Sequence, residues 1–492
     1  MPDGIRASGE ARIVNDLEKS LHSRYNPRAE AARYIDSLQL KNTIECFILI
    51  EPGFGFLIPV LRERFPDSKI IILHTGKCLS RENLTSDCAV YCGVSDETDL
   101  ISQTHDIKIF LETEIPNIDI AKIKIIEWRP SMNYFKEAYV KLLSQSVEFL
   151  KRIDAGKRTT AHFGKRWFKN YLKNICYIKK IISFKKSDIP VIVTGSGPSL
   201  ENALPFIKDM QEYCLIIAAS SSITALSFAE IKPDIIITTD GGNWARKHLH
   251  ILFSDTANLF SNTAFAANLC AALPSQCSER PFLLINDGSF WQSVILHELS
   301  LPSIIIGQRG TVSATAAELA MQLSNGNIYL AGMDFSNSDI RTHAKPYAFD
   351  NIFFAQANRF FPVYSAAFKR SSLLKDGGSM KIYETWFKDQ LSSWQKNIYS
   401  LTEHKIFKQS RPEKHSNKKI LKDFLGVSDV NNSLSGKNAQ NSNCLKALFS
   451  ALENQQFADN IKNELTSLLF PPDSRNVTKE DLKSKILEVI EN

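Results

Sequence analysis

At 492 residues, with 43% hydrophobic and 23% charged side chains, the chain holds enough apolar material for roughly two to four packed domains. A net charge of +6 is too mild for a dedicated nucleic-acid or membrane-surface protein and suits an anionic nucleotide ligand and an acidic protein partner. No apolar run reaches the roughly 20 residues of a membrane span and residues 1–25 hold no signal-peptide core, so a cytoplasmic chain is expected, its 9 scattered cysteines reduced and without a zinc pattern.

The first elements in chain order are a strand at Cys46–Ile50, a glycine turn at Gly53 and Gly55, a helix over Leu57–Arg64 and a strand from Lys69 to Leu73. A strand at Ile123–Glu127 leads through Trp128-Arg-Pro-Ser131 into a long amphipathic helix, Tyr134–Leu150, after which the first domain boundary is expected. Asn170 and Asn174, four apart beyond the basic and aromatic Phe163–Trp167, share one helix face. From Pro190 short apolar strands alternate with helical stretches: Val191–Thr194, Leu215–Ala219, Ile235–Thr238, Phe282–Ile285, Ser303–Ile306 and Asn327–Leu330. That alternation specifies a mostly parallel sheet covered on both faces. Beyond about Gly378 the strand signal stops. A helix over Lys381–Leu401, a basic run His404–Lys422, an Asn/Ser-rich stretch Val430–Asn443 and amphipathic helices to Ile490 follow.

The expected fold is therefore α/β: a central Rossmann-like, mostly parallel sheet (151–380), a smaller Rossmann-like N-terminal domain (1–150) and a helical C-terminal region with a basic, partly flexible linker (381–492).

In such sheets ligands sit beyond the carboxyl ends of the strands. Gly195-Ser196-Gly197-Pro198-Ser199 follows one strand and opens a helix, which makes it either a phosphate cradle of backbone N–H groups or a structural turn. It lacks the third glycine of a dinucleotide fingerprint and the Gly-Lys-Ser/Thr of a Walker loop. Ser220 and Ser221 follow the next strand, as ligand contacts or helix caps. Asp240 follows the third, as an acceptor for ribose or sugar hydroxyls or as another cap. Arg309-Gly310-Thr311-Val312-Ser313 precedes a small-residue helix. Gly332-Met-Asp334-Phe335 then ends a strand, with Asp334 either a ligand contact or the cap of a turn.

The order Gly-x-Gly-Pro-Ser-Leu200, Arg309-x-Thr311, Ile328-Tyr-Leu-x-Gly-x-Asp-Phe335 and Tyr347-Ala-Phe-Asp350 resembles bacterial sialyltransferases that use CMP-activated sialic acid. With Glu127-Trp-Arg-Pro-Ser131, Phe163-Gly-Lys-Arg-Trp167, Asn170, Asn174 and Thr342-His343-Ala344, the chain is similar to the motility accessory factors, best over roughly residues 120 to 350. The resemblance implies a glycosyltransferase that moves a nonulosonic acid, pseudaminic or legionaminic, from a CMP-activated donor to Ser or Thr of flagellin. With the phosphate held by backbone amides no metal is required, and the sequence supplies no Asp-x-Asp motif; no tightly bound cofactor is expected, and the mild net charge speaks against a nucleic-acid partner. Two departures stand out: Val312-Ser313 replaces the sialyltransferases' Ser-Gly, and no histidine lies between His343 and His404 to match their downstream catalytic one.

On this reading the amides of Gly195–Ser199 and Thr311–Ser313, with Tyr347, stabilise the leaving phosphate. His343 is the expected base, against the alternative of a surface histidine in a flexible loop. Arg341 beside it pairs with a sugar carboxylate or is simply solvated. The basic run His404–Lys422 guides an acidic flagellin surface or is a solvated linker. Two other functions stay open: a pterin pyrophosphokinase needing ATP and Mg²⁺, and a non-catalytic flagellin-binding export factor.

Overall fold

Both sheets grow from runs of β-branched residues. The computed structural model describes residues 21–491 except 77, 94–106, 116–119, 255–256, 337–339, 376–378, 395–396, 415–424, 431–436, 455–457, 472–473 and 475. Parts of the basic run and of the Asn/Ser-rich stretch thus lie outside the described residues. The chain forms two compact units, Met1–Thr159 and Thr160–Asn492. The division falls inside the helical stretch Arg129–Ile175, which is kinked at Lys136 (φ +45°), rather than after Leu150, and the residues expected to form a separate region from 381 onward belong to the second unit.

In the first unit α1 (Pro27–Ser37) precedes β1 (Cys46–Ile50), α2 (Leu57–Arg64), β2 (Lys69–His74), β3 (Ala89–Cys92), α3 (Ile107–Glu114), β4 (Ile123–Glu127) and the start of α4 (Arg129–Ile175). The strands form a parallel sheet in the order β3-β2-β1-β4. Every residue of β1 is buried, as expected of a central strand packed on both faces.

The second unit holds a ten-stranded sheet in the order β13-β12-β6-β7-β8-β9-β10-β5-β14, with β11 (Ser303–Ile305) pairing β10. Its elements are β5 (Lys180–Phe184), β6 (Val191–Thr194), α5 (Leu200–Met210), β7 (Leu215–Ala219), α6 (Ile223–Phe228), β8 (Ile235–Thr238), β9 (Ala264–Asn268), β10 (Pro281–Asn286) and α7 (Phe290–Glu298). After β11 come α8 (Val312–Leu323), β12 (Ile328–Ala331), α9 (Asp350–Gln356), α10 (Val363–Lys375), α11 (Ser379–Trp394), β13 (Ile398–Ser400) and β14 (Leu425–Asp429). The chain then adds α12 (Lys437–Glu453), α13 (Ala458–Leu469) and α14 (Lys479–Glu491). From β12 across to β10 neighbouring strands are parallel, and β14 closes one edge antiparallel to β5.

Strand content therefore does not stop at Gly378. β13 pairs β12 and β14 pairs β5, and both were hidden because a three-residue edge strand and a glycine-containing edge strand carry little local signal. One sheet face is covered by α8 with Phe387, the other by the end of α4 and by α12 to α14, whose Leu448, Leu465 and Ile486 share a core with Tyr171 and Ile192. Glu464 of α13 reaches the start of α7 and accepts from the amides of Phe290 (3.0 Å) and Trp291 (3.1 Å), supplying the cap that Ser289 does not. Among the described residues no helix is long and apolar enough to cross a membrane.

Candidate functional site at the β6 and β12 carboxyl ends

Sheet order reverses at β6: its right-hand neighbour β7 follows it directly through α5, while β12 arrives on its other side after α8. A crevice at the carboxyl ends of β6 and β12 is the position where open α/β sheets take ligands. Three of the expected loops meet there. The Gly195 amide donates to Ala331 O (2.8 Å) and the Gly197 amide to Gly332 O (2.7 Å). The approach is so close that a β-carbon on Gly195 would stand 2.5 Å from Gly332 O, and one on Gly332, whose φ is +67°, 2.6 Å from Gly195 O. The Ser313 hydroxyl at the start of α8 lies 3.1 Å from that same Gly195 position, so Gly195, Thr311 to Ser313 and Gly332 share one edge.

The phosphate-cradle expectation needs correction. The Ser199 amide donates to Asp334 Oδ2 (2.8 Å) and its hydroxyl to Asp334 Oδ1. Asp334 thus serves as the anion at the α5 N-terminus, where Ser199 makes no capping bond of its own. With the Gly195 and Gly197 amides held by β12 and Pro198 lacking an N–H, the turn is mainly a clamp joining β6 to the loop after β12. The first-turn amides of α8, which have no intrahelical acceptors, remain the better anion donors, although Thr311 Oγ1 accepts from Ser313 N at 3.3 Å. Arg309 does not face the edge. Its guanidinium forks onto Glu318 (2.5 and 2.9 Å) and lies over Trp386, with Gly310 at φ +72° beneath Tyr383. Phe335, a non-glycine residue at φ +49°, packs against Phe387 and His404 rather than into the crevice.

Past Asp334 the chain folds back over the turn: Ala344 N donates to Ser196 O (2.8 Å), Lys345 N to Glu201 (2.9 Å), and Arg341 pairs with Glu201. This sets His343 and Tyr347 beside the turn, their rings stacked at 4.0 Å and 14°. His248, in the 3-10 helix Asn243–Phe253 after β8, contacts Tyr347 (5.5 Å) and Phe349 (5.0 Å). Burial first, then the nearby His248 and Lys345, push His343 down to about 4. Burial likewise lowers His248 to about 4, against the pull of Asp240. Both rings are neutral at pH 7. His343 Nδ1 is engaged by Thr342 Oγ1 (2.8 Å), which leaves Nε2 as its second edge, and the buried His248 Nδ1 has no hydrogen-bond partner. Tyr347 N donates to Asp350 Oδ2 (2.8 Å), and burial raises the phenol above its ordinary range, so it stays a neutral donor.

Asp240 is exposed at the same edge, one oxygen accepting from Gly242 N (2.7 Å). Ser220 is buried and Ser221 half-buried; the Ser222 hydroxyl meets Thr194 Oγ1 (2.9 Å) and donates to Ala219 O (2.8 Å), tying the ends of β6 and β7 without capping α6. The Asn170 amide donates to Gly241 O (3.1 Å) and Cys270 O (2.9 Å), and Asn174 to Leu269 O (2.7 Å) and Ala271 O (2.8 Å). Trp167 lies where a β-carbon on Gly241 would stand, 2.4 Å away. The Phe163–Trp167 block and its two asparagines therefore hold the loops after β8 and β9 in place.

Two histidines escaped the sequence reading. His248 carried the signal of lying shortly after Asp240. His404 is returned by the pairing of β13 with β12: Nε2–H donates to Met333 O (3.0 Å), while Nδ1 accepts from Ile406 N (3.0 Å) and Phe407 N (3.2 Å). Nε2 holds the loop at Met333 and Nδ1 holds the turn at Ile406 and Phe407, so His404 acts as a latch between the two segments. Behind that loop a cleft of about 430 Å³ is lined by Ser199, Glu201, Asp334, Arg341, His404 and Lys405.

Residues 165–339 match the family described as 6-hydroxymethylpterin diphosphokinase MptE-like. The chain is similar to an uncharacterized protein of Treponema pallidum (strain Nichols), 28% identical over 313 residues, covering 61% of this chain and 62% of that protein. A second Treponema pallidum (strain Nichols) protein is 26% identical over 137 residues, covering 27% of this chain and 65% of its own. The chain thus spans less than two thirds of the length of either relative. Among solved structures it is similar to the MAf glycosyltransferase from Magnetospirillum magneticum AMB-1, with a TM-score of 0.49 and 12% identity over 91% of this chain and 74% of that one.

Proposed function

We propose that the crevice at the carboxyl ends of β6 and β12 is a nucleotide-sugar site, and that the chain is a cytoplasmic glycosyltransferase moving a nonulosonic acid from a CMP-activated donor to a Ser or Thr hydroxyl of flagellin. The observation that carries this reading is the meeting, on one edge, of loops from separate parts of the chain: Gly195–Ser199, Thr311–Ser313, Gly332–Asp334 and His343–Tyr347.

Transfer requires the bond between the anomeric carbon and the phosphate oxygen to break as the acceptor oxygen attacks. The acceptor proton then passes to a base and CMP departs with the bonding electrons. His343, neutral and beside the turn, takes the proton; the first turn of α8 and the Tyr347 hydroxyl face the phosphate charge. Asp240 supplies an acceptor for sugar or ribose hydroxyls. Asp334 acts through Ser199 as a positioning residue.

Incubation of the purified chain with CMP-pseudaminic acid and flagellin, followed by intact mass measurement, tests the reading: flagellin gains whole nonulosonic acid units if it holds and keeps its mass if it does not. The MptE-like match over residues 165–339 favours a second reading, diphosphoryl transfer from ATP to 6-hydroxymethylpterin. Formation of pterin diphosphate with ATP and Mg²⁺, with flagellin mass unchanged, would establish that alternative.

A further inference from the structure

The first unit carries a cluster of ionisable side chains that the proposed transfer does not use. It lies at the carboxyl ends of three neighbouring strands: Glu51 follows β1, His74 ends β2, and Cys92 ends β3 in register with His74. His74 is fully buried and Glu51 is 1% exposed. His74 Nδ1 stands 2.9 Å from Glu51 Oε2, and Nε2 stands 3.0 Å from Ser80 Oγ. Thr75 Oγ1 donates to the other Glu51 oxygen (2.5 Å), which fixes the carboxylate. Cys78 lies with its sulfur 3.6 Å from Ser80 Oγ and packs in the same buried cluster as Cys92.

A buried carboxylate and imidazole are costly to desolvate and are often no more stabilising than apolar residues of the same volume. Here they lead in sequence through the Ser80 hydroxyl to a sulfur: Glu51 carboxylate, His74 imidazole, Ser80 hydroxyl, Cys78 thiol. Burial opposes a charged ring, but hydrogen bonds to Cys78 and Glu51 outweigh it and hold His74 above the ordinary histidine range. The hydrogen bond from Cys92 first, then His74 and Ser80, hold the Cys78 thiol well below the usual cysteine range, against burial. The contrast within the chain is sharp, since burial pushes Cys46, Cys277 and Cys444 up to about 12. A thiolate paired with an imidazolium is the nucleophilic form of cysteine.

We propose that Cys78 and Cys92 form a peroxide-reactive dithiol, with Cys78 the attacking sulfur, Cys92 the resolving thiol, and His74 and Glu51, through Ser80, the pair that positions Cys78. The Cys78 sulfur attacks one oxygen of hydrogen peroxide, the O–O bond breaks, and the leaving oxygen takes a proton and departs as water. Cys92 then attacks the resulting sulfenic sulfur, the S–O bond breaks, and a second water leaves. Two thiols and one peroxide become one disulfide and two waters. Cys78 is 7% exposed and Cys92 2%, which suits an oxidant of peroxide size rather than a bulky disulfide. The disulfide would tie the segment after β2 to the end of β3.

The test uses the reduced full chain and hydrogen peroxide at pH 7. The expected result is a mass loss of ~2 Da with Cys78 joined to Cys92, at a rate ~10-fold above oxidation of the other thiols. Cys88 and Cys92 share a tryptic peptide, so the bridge must persist in Cys88→Ser. Cys92→Ser should stop at the sulfenic acid and trap dimedone on Cys78. His74→Gln should slow the reaction and restore an ordinary thiol pH profile at Cys78. Absence of the bridge, a bridge that vanishes with Cys88→Ser, or no dimedone adduct in folded Cys92→Ser overturns the proposal; if His74→Gln fails to fold, the cysteine variants decide.

Discussion

Replacing Asp334 with Asn and with Ala separates its charge from its hydrogen bonds. The carboxylate accepts from the Ser199 amide at 2.8 Å and from the Ser199 hydroxyl, at the start of an 11-residue helix whose N-cap side chain makes no capping bond. Asn keeps the shape and can accept from the amide while donating to the hydroxyl, so the change removes chiefly the favourable charge at the helix N-terminus, ~1 kcal/mol. Ala leaves both Ser199 groups unpaired in a half-buried place, which raises the cost to ~3 kcal/mol. Thermal unfolding followed by a probe in the second unit should show the melting point lowered by roughly 2–4 °C for Asn and 6–10 °C for Ala. Equal losses for the two variants, or neither exceeding ~0.5 kcal/mol, would refute the clamp. A folded Asp334→Asn protein that binds donor but has lost all turnover would show instead that the carboxylate meets the substrate.

Four further outcomes are expected. Gly195→Ala places a β-carbon 2.5 Å from Gly332 O, a backbone atom that cannot step aside, and should cost ~1–3 kcal/mol in denaturant unfolding together with loss of donor binding. His343→Ala should lower transfer ~100-fold or more while isothermal titration finds CMP affinity little changed. With His343 pushed down to about 4, its acid limb in a rate profile should fall near pH 4 instead of pH 6.5, because the ring stays an unprotonated base until then. The same shifts make acid destabilising: the stability contributed by neutral His248 and His343 is complete above pH 6.5, where the unfolded rings are also neutral, and is lost as pH falls toward 4, so melts at pH 7 and pH 5 should differ less in the double His→Gln variant.

The central strands were legible because Val191–Thr194, Leu215–Ala219 and Ile235–Thr238 are short β-branched or apolar runs between helical patterns, and the edge they share follows from parallel topology. β9 was not, since Ala-Phe-Ala-Ala-Asn has weak strand preference and is held by its neighbours β8 and β10. The role of Asp334 was unreadable because its partner Ser199 lies 135 positions away. His404 was missed for the same reason: only the β13 to β12 pairing brings it to Met333, 71 positions earlier. Asn170 and Asn174 were correctly placed on one helix face, but spacing within a helix says nothing of which carbonyls that face will meet. Arg309 shows the opposite failure, a motif residue whose partner, Glu318, was local and was passed over.

The packing of α12 to α14 against the sheet bears on how the protein can be shortened. Leu448, Leu465 and Ile486 are fully buried beside Tyr171 and Ile192, and Glu464 holds the first amides of α7. A chain ending near 380 would not fold as a smaller version of the second unit: it would lack one flank of the sheet and leave that helix end bare. The tail is masonry for the domain that precedes it in the chain, and alleles truncated there should behave as misfolded proteins rather than as folded ones that have lost a docking arm.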